Sequence, residues 1–235
     1  MLVLATANPH KVNELKSILA QSGIPAAALS DVLGPDGLPL PTTEPIETGS
    51  TFEENAILKA RSYAIQTRRA VLADDSGLEI DALGGRPGVI SSHYSTDGIE
   101  TGLSREARDR ANNLRVLREL EPIPFERRTA RFVCVMALAL PPHGGEGARI
   151  VAVTRGVFEG RIGLPRAGSA SSDRWIVPRG REGFGYDPLF LVGPAFESTS
   201  AELSEVDKNR LSHRGAAARA MAAEIRRGLP DLAGC

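Results

Sequence analysis

At 235 residues and 42% hydrophobic content, the chain suits one large domain or two small lobes around a real core. A formal net charge of −1 excludes the electrostatic footprint of a non-specific nucleic-acid binder, and two cysteines with four scattered histidines exclude a disulfide framework and a zinc-ligand pattern. No apolar run reaches membrane-spanning length and the opening residues lack the basic stretch of a signal peptide, so the expected compartment is a reducing cytoplasm, with no membrane partner.

Residues 2–5 read as a short buried strand. A tight loop follows, then an amphipathic helix with Val12, Leu15, Ile18 and Leu19 on its apolar side; Asn8 suits its N-cap and Pro9 its first position. A strand, a tight loop and a helix start expose free backbone N–H groups that suit an anion. Lys11 in the first turn opposes the helix dipole, a cost that an anionic ligand would explain. Only four of the 28 basic residues are lysines, which marks Lys11, Lys16, Lys59 and Lys208 as places where a compact ammonium is needed.

Residues 23–45 predict a short strand and a loop. Thr51 and Glu54 form a capping box for a helix carrying Ala56, Ile57, Ala60 and Ala64 on one side, with Asn55 and Lys59 sharing a face. Glu47 lies in the loop before it. Residues 71–78, Val-Leu-Ala-Asp-Asp-Ser-Gly-Leu, read as a buried strand whose carboxyl end delivers two carboxylates to a turn. Alternation along a strand gives Asp74 and Asp75 different faces and different jobs. With Glu47 they form an acidic cluster suited to a hard divalent cation.

Residues 79–88 predict a hairpin and a glycine-rich loop. Ser104 starts a helix with Ala107, Ala111, Leu114 and Leu117 as its core face. Strands are expected over residues 131–140, 150–153 and 157–162. Residues 165–183 are the most loop-like in the chain, and a Ser/Gly-rich stretch around Ser169 to Trp175 should contribute little to the core. Gly183-Phe184-Gly185-Tyr186-Asp187-Pro188 precedes a strand at 189–192 and offers flat apolar surface that suits a nucleobase. Ser212 or His213 caps an Ala-rich helix ending near Arg227, and His213-Arg214 makes this a second helix start with an unexpected cation. Polyphosphate, magnesium and base together describe a nucleoside triphosphate, and no P-loop motif is present.

Six ordered motifs carry a resemblance that covers nearly the whole chain. They are Thr6-x-Asn8-x-x-Lys11, Glu47-Thr48-Gly49-x-Thr51-Phe52-x-Glu54-Asn55-Ala56, Ala73-Asp74-Asp75-Ser76-Gly77-Leu78, Gly84-Gly85-x-Pro87-Gly88, Gly183 to Pro188, and Ser212-His213-Arg214-Gly215. In these the chain resembles the Ham1/RdgB family of inosine triphosphate pyrophosphatases. The resemblance implies an α/β, ITPase-like fold: an elongated single domain over residues 1–235, with a long mixed twisted sheet through two lobes, an active-site cleft between them, and a homodimer. It implies Mg2+-dependent hydrolysis of ITP, dITP and XTP to the monophosphate and pyrophosphate. By motif, Thr6, Ala7, Asn8, Pro9, His10 and Lys11 would hold the phosphates. Asp75 would be the catalytic base and a metal ligand, assisted by Glu47 and Asp74, with Ser76 on the substrate. Phe184, Gly185, Tyr186, Asp187, Lys208, His213 and Arg214 would take the base and sugar. Two departures stand out: Ser91-Ser92-His93-Tyr94 where the family often has Ser-Ala-Arg-Tyr, and a longer 165–183 segment. A nucleotide-binding regulator without catalysis and a Maf-type pyrophosphatase are the rival classes, and the intact Asp75 and Lys11 argue against the first.

Overall fold

The structure, a computed structural model, describes residues 2–6, 8–165 and 175–229, apart from the side chain of His10. Five helices are described: α1 (Pro9–Ala20), α2 (Phe52–Thr67), α3 (Arg105–Glu119), α4 (Glu205–Leu211) and α5 (His213–Gly228). The strands are β1 (Leu2–Leu4), β2 (Ala26–Ala28), β3 (Val71–Ile80), β4 (Thr129–Leu140), β5 (Arg149–Ile162), β6 (Leu164–Pro165), β7 (Ile176–Val177), β8 (Phe190–Val192) and β9 (Ser198–Thr199). Seven form one mixed sheet in the order β2-β1-β3-β4-β5-β8-β9, with β1 parallel to β2 and β3, and β8 antiparallel to β5 and β9; β6 and β7 pair separately. This is the expected α/β class.

The chain divides into two compact units. The first comprises Met1–Asp75, Cys134–Val157 and Ser212–Cys235, the second Ser76–Val133 and Phe158–Leu211. In the first, Leu2, Leu4 and Leu72 from the strands pack with Leu15, Ile18 and Leu19 of α1, Cys134, Met136 and Leu138 of β4, and the small-residue face of α5. In the second, Leu78, Ile80, Val116, Leu120, Phe132, Tyr186 and the residues of β8 form a separate core.

In the first unit the strand order β2-β1-β3 matters for ligands. The chain leaves β1 through α1 to β2 on one side, and β3 pairs on the other. The carboxyl end of β1 therefore lies at a topological switch point, the usual place for a ligand in such sheets. Pairing of β1 with β3 is in register at Val3 with Val71 and Leu4 with Leu72, and the last bond runs from the Ala5 amide to the Leu72 carbonyl at 2.9 Å. Beyond it, β1 gives way to the Thr6–Asn8 loop while β3 runs on into Asp74 and Asp75.

Four sequence expectations are corrected. The acidic pair does not sit at a turn: β3 continues unbroken to Ile80. Gly77 is required by a close approach instead. A Cβ there would collide with Ser91 Oγ, which accepts from the Leu78 amide at 2.9 Å and donates to the Gly88 carbonyl at 2.5 Å. The extended pieces at 150–153 and 157–162 are one strand, β5. The buried side of α3 is Asn112 and Val116, not the face through Leu114, which is 58% exposed. Asn112 is buried because its amide serves the turn opposite, accepting from the Ser95 amide at 2.7 Å and donating to the Ser92 carbonyl at 3.0 Å. Finally, Trp175 is no idle loop residue: its ring stacks on Phe125 with centroids 4.1 Å apart, within the second core. The rest of the predicted Ser/Gly-rich stretch, residues 166–174, lies outside the described residues.

Candidate active site

Pro9 opens α1, as expected, and the Asn8 carbonyl accepts the first helical bond from Val12 at 3.0 Å. The Asn8 amide donates to Thr6 Oγ1 at 3.2 Å, which tightens the loop. This aims the first turn, with Lys11, at the middle of β3. The Lys11 ammonium sits 2.8 Å from Asp74 Oδ2. Ala7 lies outside the described residues, and of His10 only the backbone is placed, in α1.

The second approach to β3 comes from α2. Thr51 caps it: Thr51 Oγ1 accepts from the Glu54 amide at 3.1 Å, and Glu54 Oε2 accepts from the Thr51 amide at 3.2 Å. One turn in, Asn55 is 2% exposed and ties two things together. Its Oδ1 accepts from the Gly49 amide at 2.8 Å, and its Nδ2 donates to Asp75 Oδ2 at 3.3 Å. Gly49 has to be glycine, because a Cβ there would run into Asn55 and Glu54. The loop is thus pinned so that Glu47 falls 3.2 Å from the Lys59 ammonium, which donates to Asp75 Oδ1 at 3.0 Å.

The third approach is α5. Ser212 caps it, accepting from the Gly215 amide at 3.0 Å and donating to Glu14 Oε1 at 3.2 Å. Thr154 Oγ1 donates to the Ala217 carbonyl at 3.0 Å, and a Cβ on Gly156 would collide with the His213 carbonyl, so α5 seats directly on β5. Arg214, 3% exposed, then lies 2.6 Å from Glu14 Oε2 and 3.8 Å from Asp74 Oδ2. His213 is buried beside it.

Strand alternation separates the two aspartates as expected. Asp74 faces Lys11 and Arg214, and Asp75 faces Asn55 and Lys59. Burial raises the Asp74 carboxyl, but Lys11 and Arg214 outweigh it and hold the group far below the usual carboxylate range. Burial raises Asp75; Lys59 opposes that rise and Glu47 adds to it, leaving the carboxyl above its ordinary value. Burial would discharge Lys59, yet Asp75, Asp74 and Glu47 together keep it an ammonium. The two carboxyls are thus pushed in opposite directions, Asp75 upward chiefly by burial and Asp74 downward by Lys11 and Arg214.

The cations that looked anomalous at two helix starts have partners within the protein: Lys11 has Asp74, and Arg214 has Glu14 and Asp74. An anionic ligand is thus not needed to account for them. Counted together, three cations (Lys11, Lys59, Arg214) meet four carboxylates (Glu14, Glu47, Asp74, Asp75). Such a cluster repels a polyphosphate until a further positive charge arrives. Asp75 and Glu47 already converge on one cation, Lys59, and magnesium takes one or two carboxylates plus phosphate oxygens, so this pair fits a metal of that kind. Asp74 Oδ2 is directed to Lys11 and Arg214; among the described residues no group of three or more His, Cys, Asp or Glu is placed to hold a metal.

The second unit holds the aromatic-glycine loop. Gly183 has φ +82°, and a Cβ there would collide with Asp187 and Lys208. Asp187 Oδ2 accepts from the Phe184 amide at 2.9 Å and from the Lys208 ammonium at 2.6 Å, so Lys208 is part of the loop's own scaffold. The Tyr186 ring is buried in the core, its hydroxyl donating to the Ser91 carbonyl at 2.7 Å. Phe184 and Gly185 are half-buried, as is Ser76 on β3. His93, standing where an arginine was expected, meets Ser92 Oγ at 2.9 Å, Glu100 at 2.7 Å and Arg108 at 3.0 Å.

Residues 2–224 match the profile of the Ham1 family. This chain belongs to the Ham1 family. It is 47% identical over 218 residues to the dITP/XTP pyrophosphatase of Nitratidesulfovibrio vulgaris, covering 93% of this chain and 92% of that protein. The dITP/XTP pyrophosphatase of Bacillus subtilis is 42% identical over 212 residues, 90% of each chain. Among solved structures, a HAM1 protein from Coxiella burnetii matches with a TM-score of 0.72 at 36% identity, over 97% of this chain and 98% of that one.

Reading the sequence does not bring Glu14, Asn55 and Lys59 into this charged cluster, where the structure places them. The signal for the last two was present in their shared helix face and in the scarcity of lysine. Glu14 carries no such mark; only the approach of α5 reveals it.

Proposed function

We propose that this Ham1 protein hydrolyses non-canonical purine nucleoside triphosphates (dITP, ITP and XTP) to the monophosphate and pyrophosphate, cleansing the nucleotide pool. The observation that carries the reading is the Glu47–Lys59–Asp75 cluster at the switch point, with Lys11 and the start of α1 beside it. The names of its relatives, dITP/XTP pyrophosphatases, support the substrate class.

Asp75 takes a proton from the attacking water at a carboxylate oxygen; burial makes it a stronger base than an exposed aspartate, and Asn55 and Lys59 fix its direction. Lys11 and the free N–H groups of α1, with Thr6, Asn8 and Pro9 shaping the loop, stabilise negative charge on the phosphates. Asp75 and Glu47 would hold magnesium, which when bound would supply charge neutralisation on the phosphates and orientation of the leaving pyrophosphate. Phe184, Gly185, Tyr186 and Asp187 form the base-side loop, with Ser76, Lys208, His213 and Arg214 contributing on the base and sugar side. Residues 1–235 act as a single functional domain. The proposal extends to a homodimer working in the cytoplasm on free nucleotides. Among the described residues no helix is long and apolar enough to cross a membrane.

The deciding experiment is pyrophosphate release from a panel of ITP, dITP, XTP, ATP, GTP, UTP and dTTP with magnesium. Preference for the deaminated purines supports the reading, and preference for UTP or dTTP points to the Maf-type activity. ATP turned over as well as ITP would sink it. Light scattering on the eluting protein settles the dimer.

A further inference from the structure

The proposed reaction does not use α3, yet one face of that helix is directed at the base-side loop. Arg105, Asp109 and Asn113 fall at steps of four residues and so line one side. The Arg105 guanidinium lies 4.5 Å from the centroid of the Phe184 ring. Asp109 Oδ2 accepts from the Gly185 amide at 3.0 Å, and Asn113 Nδ2 donates to the Gly185 carbonyl at 3.1 Å. Gly185 has φ +62°, which turns its amide and carbonyl out of any regular pairing, and one helix takes both.

We propose that this face of α3 is a positioning element for base selection: Asp109 and Asn113 fix the Gly185 peptide, Arg105 fixes the Phe184 ring, and a 6-keto purine nucleoside triphosphate meets a preset surface. The inference rests on the reading that residues 184–187 take the base. Two observations separate this role from simple scaffolding. The loop's far end is already anchored, by Tyr186 on Ser91 and by Asp187 on Lys208 and the Phe184 amide. α3 is likewise held from its other side, where Asn112 donates to the Ser91 and Ser92 carbonyls and Val116 is buried. The Asp109 and Asn113 bonds are thus additional to what the fold needs; they act on Gly185, and Arg105 on Phe184, the two half-buried residues of the 184–187 segment.

The test is steady-state kinetics of Asp109→Ala, Asn113→Ala and the double variant on ITP and ATP with magnesium. Loss of one such bond should raise KM for ITP by about 5- to 10-fold, with kcat within about threefold, since a net hydrogen bond is worth that order of affinity. The ITP-over-ATP preference in kcat/KM should narrow, while Tm moves by about 4 °C or less. Asp109→Asn keeps an acceptor oxygen and should recover most of the KM. Unchanged KM and preference in the double variant would overturn the proposal, as would losses that track a falling Tm and are not recovered in Asp109→Asn. Phe184→Ala separates the two levels. If it raises KM for ITP while the α3 variants do not, the clamp fails and the base-side reading stands. If Phe184→Ala itself changes neither KM nor preference, that reading fails and the clamp with it.

Discussion

The two units hold their polar groups by different physical means. In the first, charges are buried and paired: Asp74 between Lys11 and Arg214, Asp75 against Lys59. In the second, a loop is shaped by bonds to its own backbone, with a single ion pair, Lys208 to Asp187, holding its base. Fixed charge suits phosphate and proton transfer, where the transition state changes in charge. Fixed backbone suits discrimination between bases, where the difference is which atom donates a hydrogen bond. Changes in the first unit should therefore strike turnover and stability, and changes in the second affinity and selectivity.

The largest effect tests the first half of that contrast. Asp75→Asn should lower kcat by at least about 100-fold, the low end for one acid–base group, with the circular dichroism spectrum unchanged. Near-normal turnover in a folded variant would remove Asp75 from the mechanism. Excess EDTA should likewise abolish pyrophosphate release, and full activity in EDTA would refute the metal role of Asp75 and Glu47.

Stability should divide the same way. Asp74→Asn leaves half-buried Lys11 beside a neutral group and buried Arg214 with Glu14 alone, and should cost about 3–5 kcal/mol in urea unfolding, the range for breaking a buried pair. Asp187→Asn keeps an acceptor for the Phe184 amide and should cost less, about 1–3 kcal/mol. Equal costs would erase the distinction between the units.

A pH profile sharpens the point. The folded-state value of Asp74 is depressed, so its contribution is fully present above the unfolded value, about 3.9, and is lost as pH falls toward the folded one. Wild-type stability should therefore drop below about pH 4, and the drop should be shallower in Asp74→Asn. Matching acid profiles would show that Asp74 is not the linked group.

The smallest effect belongs to the second unit. A pocket that offers donors at the purine 6-position accepts an oxygen there and leaves an adenine amino group unmatched. If Lys208 contributes, Lys208→Ala should shrink the ITP-over-ATP ratio by about fivefold, the worth of one weak contact. Because Lys208 is paired with Asp187, no change in that ratio would assign the lysine to scaffolding alone.

Much of the first unit could be read from residues in order, because its signals are local. Pro9 at a helix start, the Thr51–Glu54 box and the alternation of Asp74 and Asp75 all act within a few positions. What escaped is non-local. Gly77 in an Asp-Asp-Ser-Gly run looks like a turn, and only the distant Ser91 shows why no side chain fits. Tyr186 in a Gly-Phe-Gly-Tyr run looks like an exposed platform, and only the second core shows it buried. The face of α3 was misassigned because its buried polar residue, Asn112, answers to carbonyls some twenty positions away, which hydrophobic periodicity does not register.

The order in which the segments leave the ribosome follows from the division of the chain. The second unit has all its residues once position 211 is made, whereas the first cannot close until α5 brings Ala217, Ala218, Met221, Ala222 and Ile225 onto its core. At the usual pace of synthesis, about 5–20 residues per second, that interval lasts on the order of seconds. Throughout it, Leu2, Leu72 and Met136 wait for their last cover and Asp74 lacks Arg214. A chaperone that engages nascent chains has its natural target there, on the amino-terminal half that is made first and finished last.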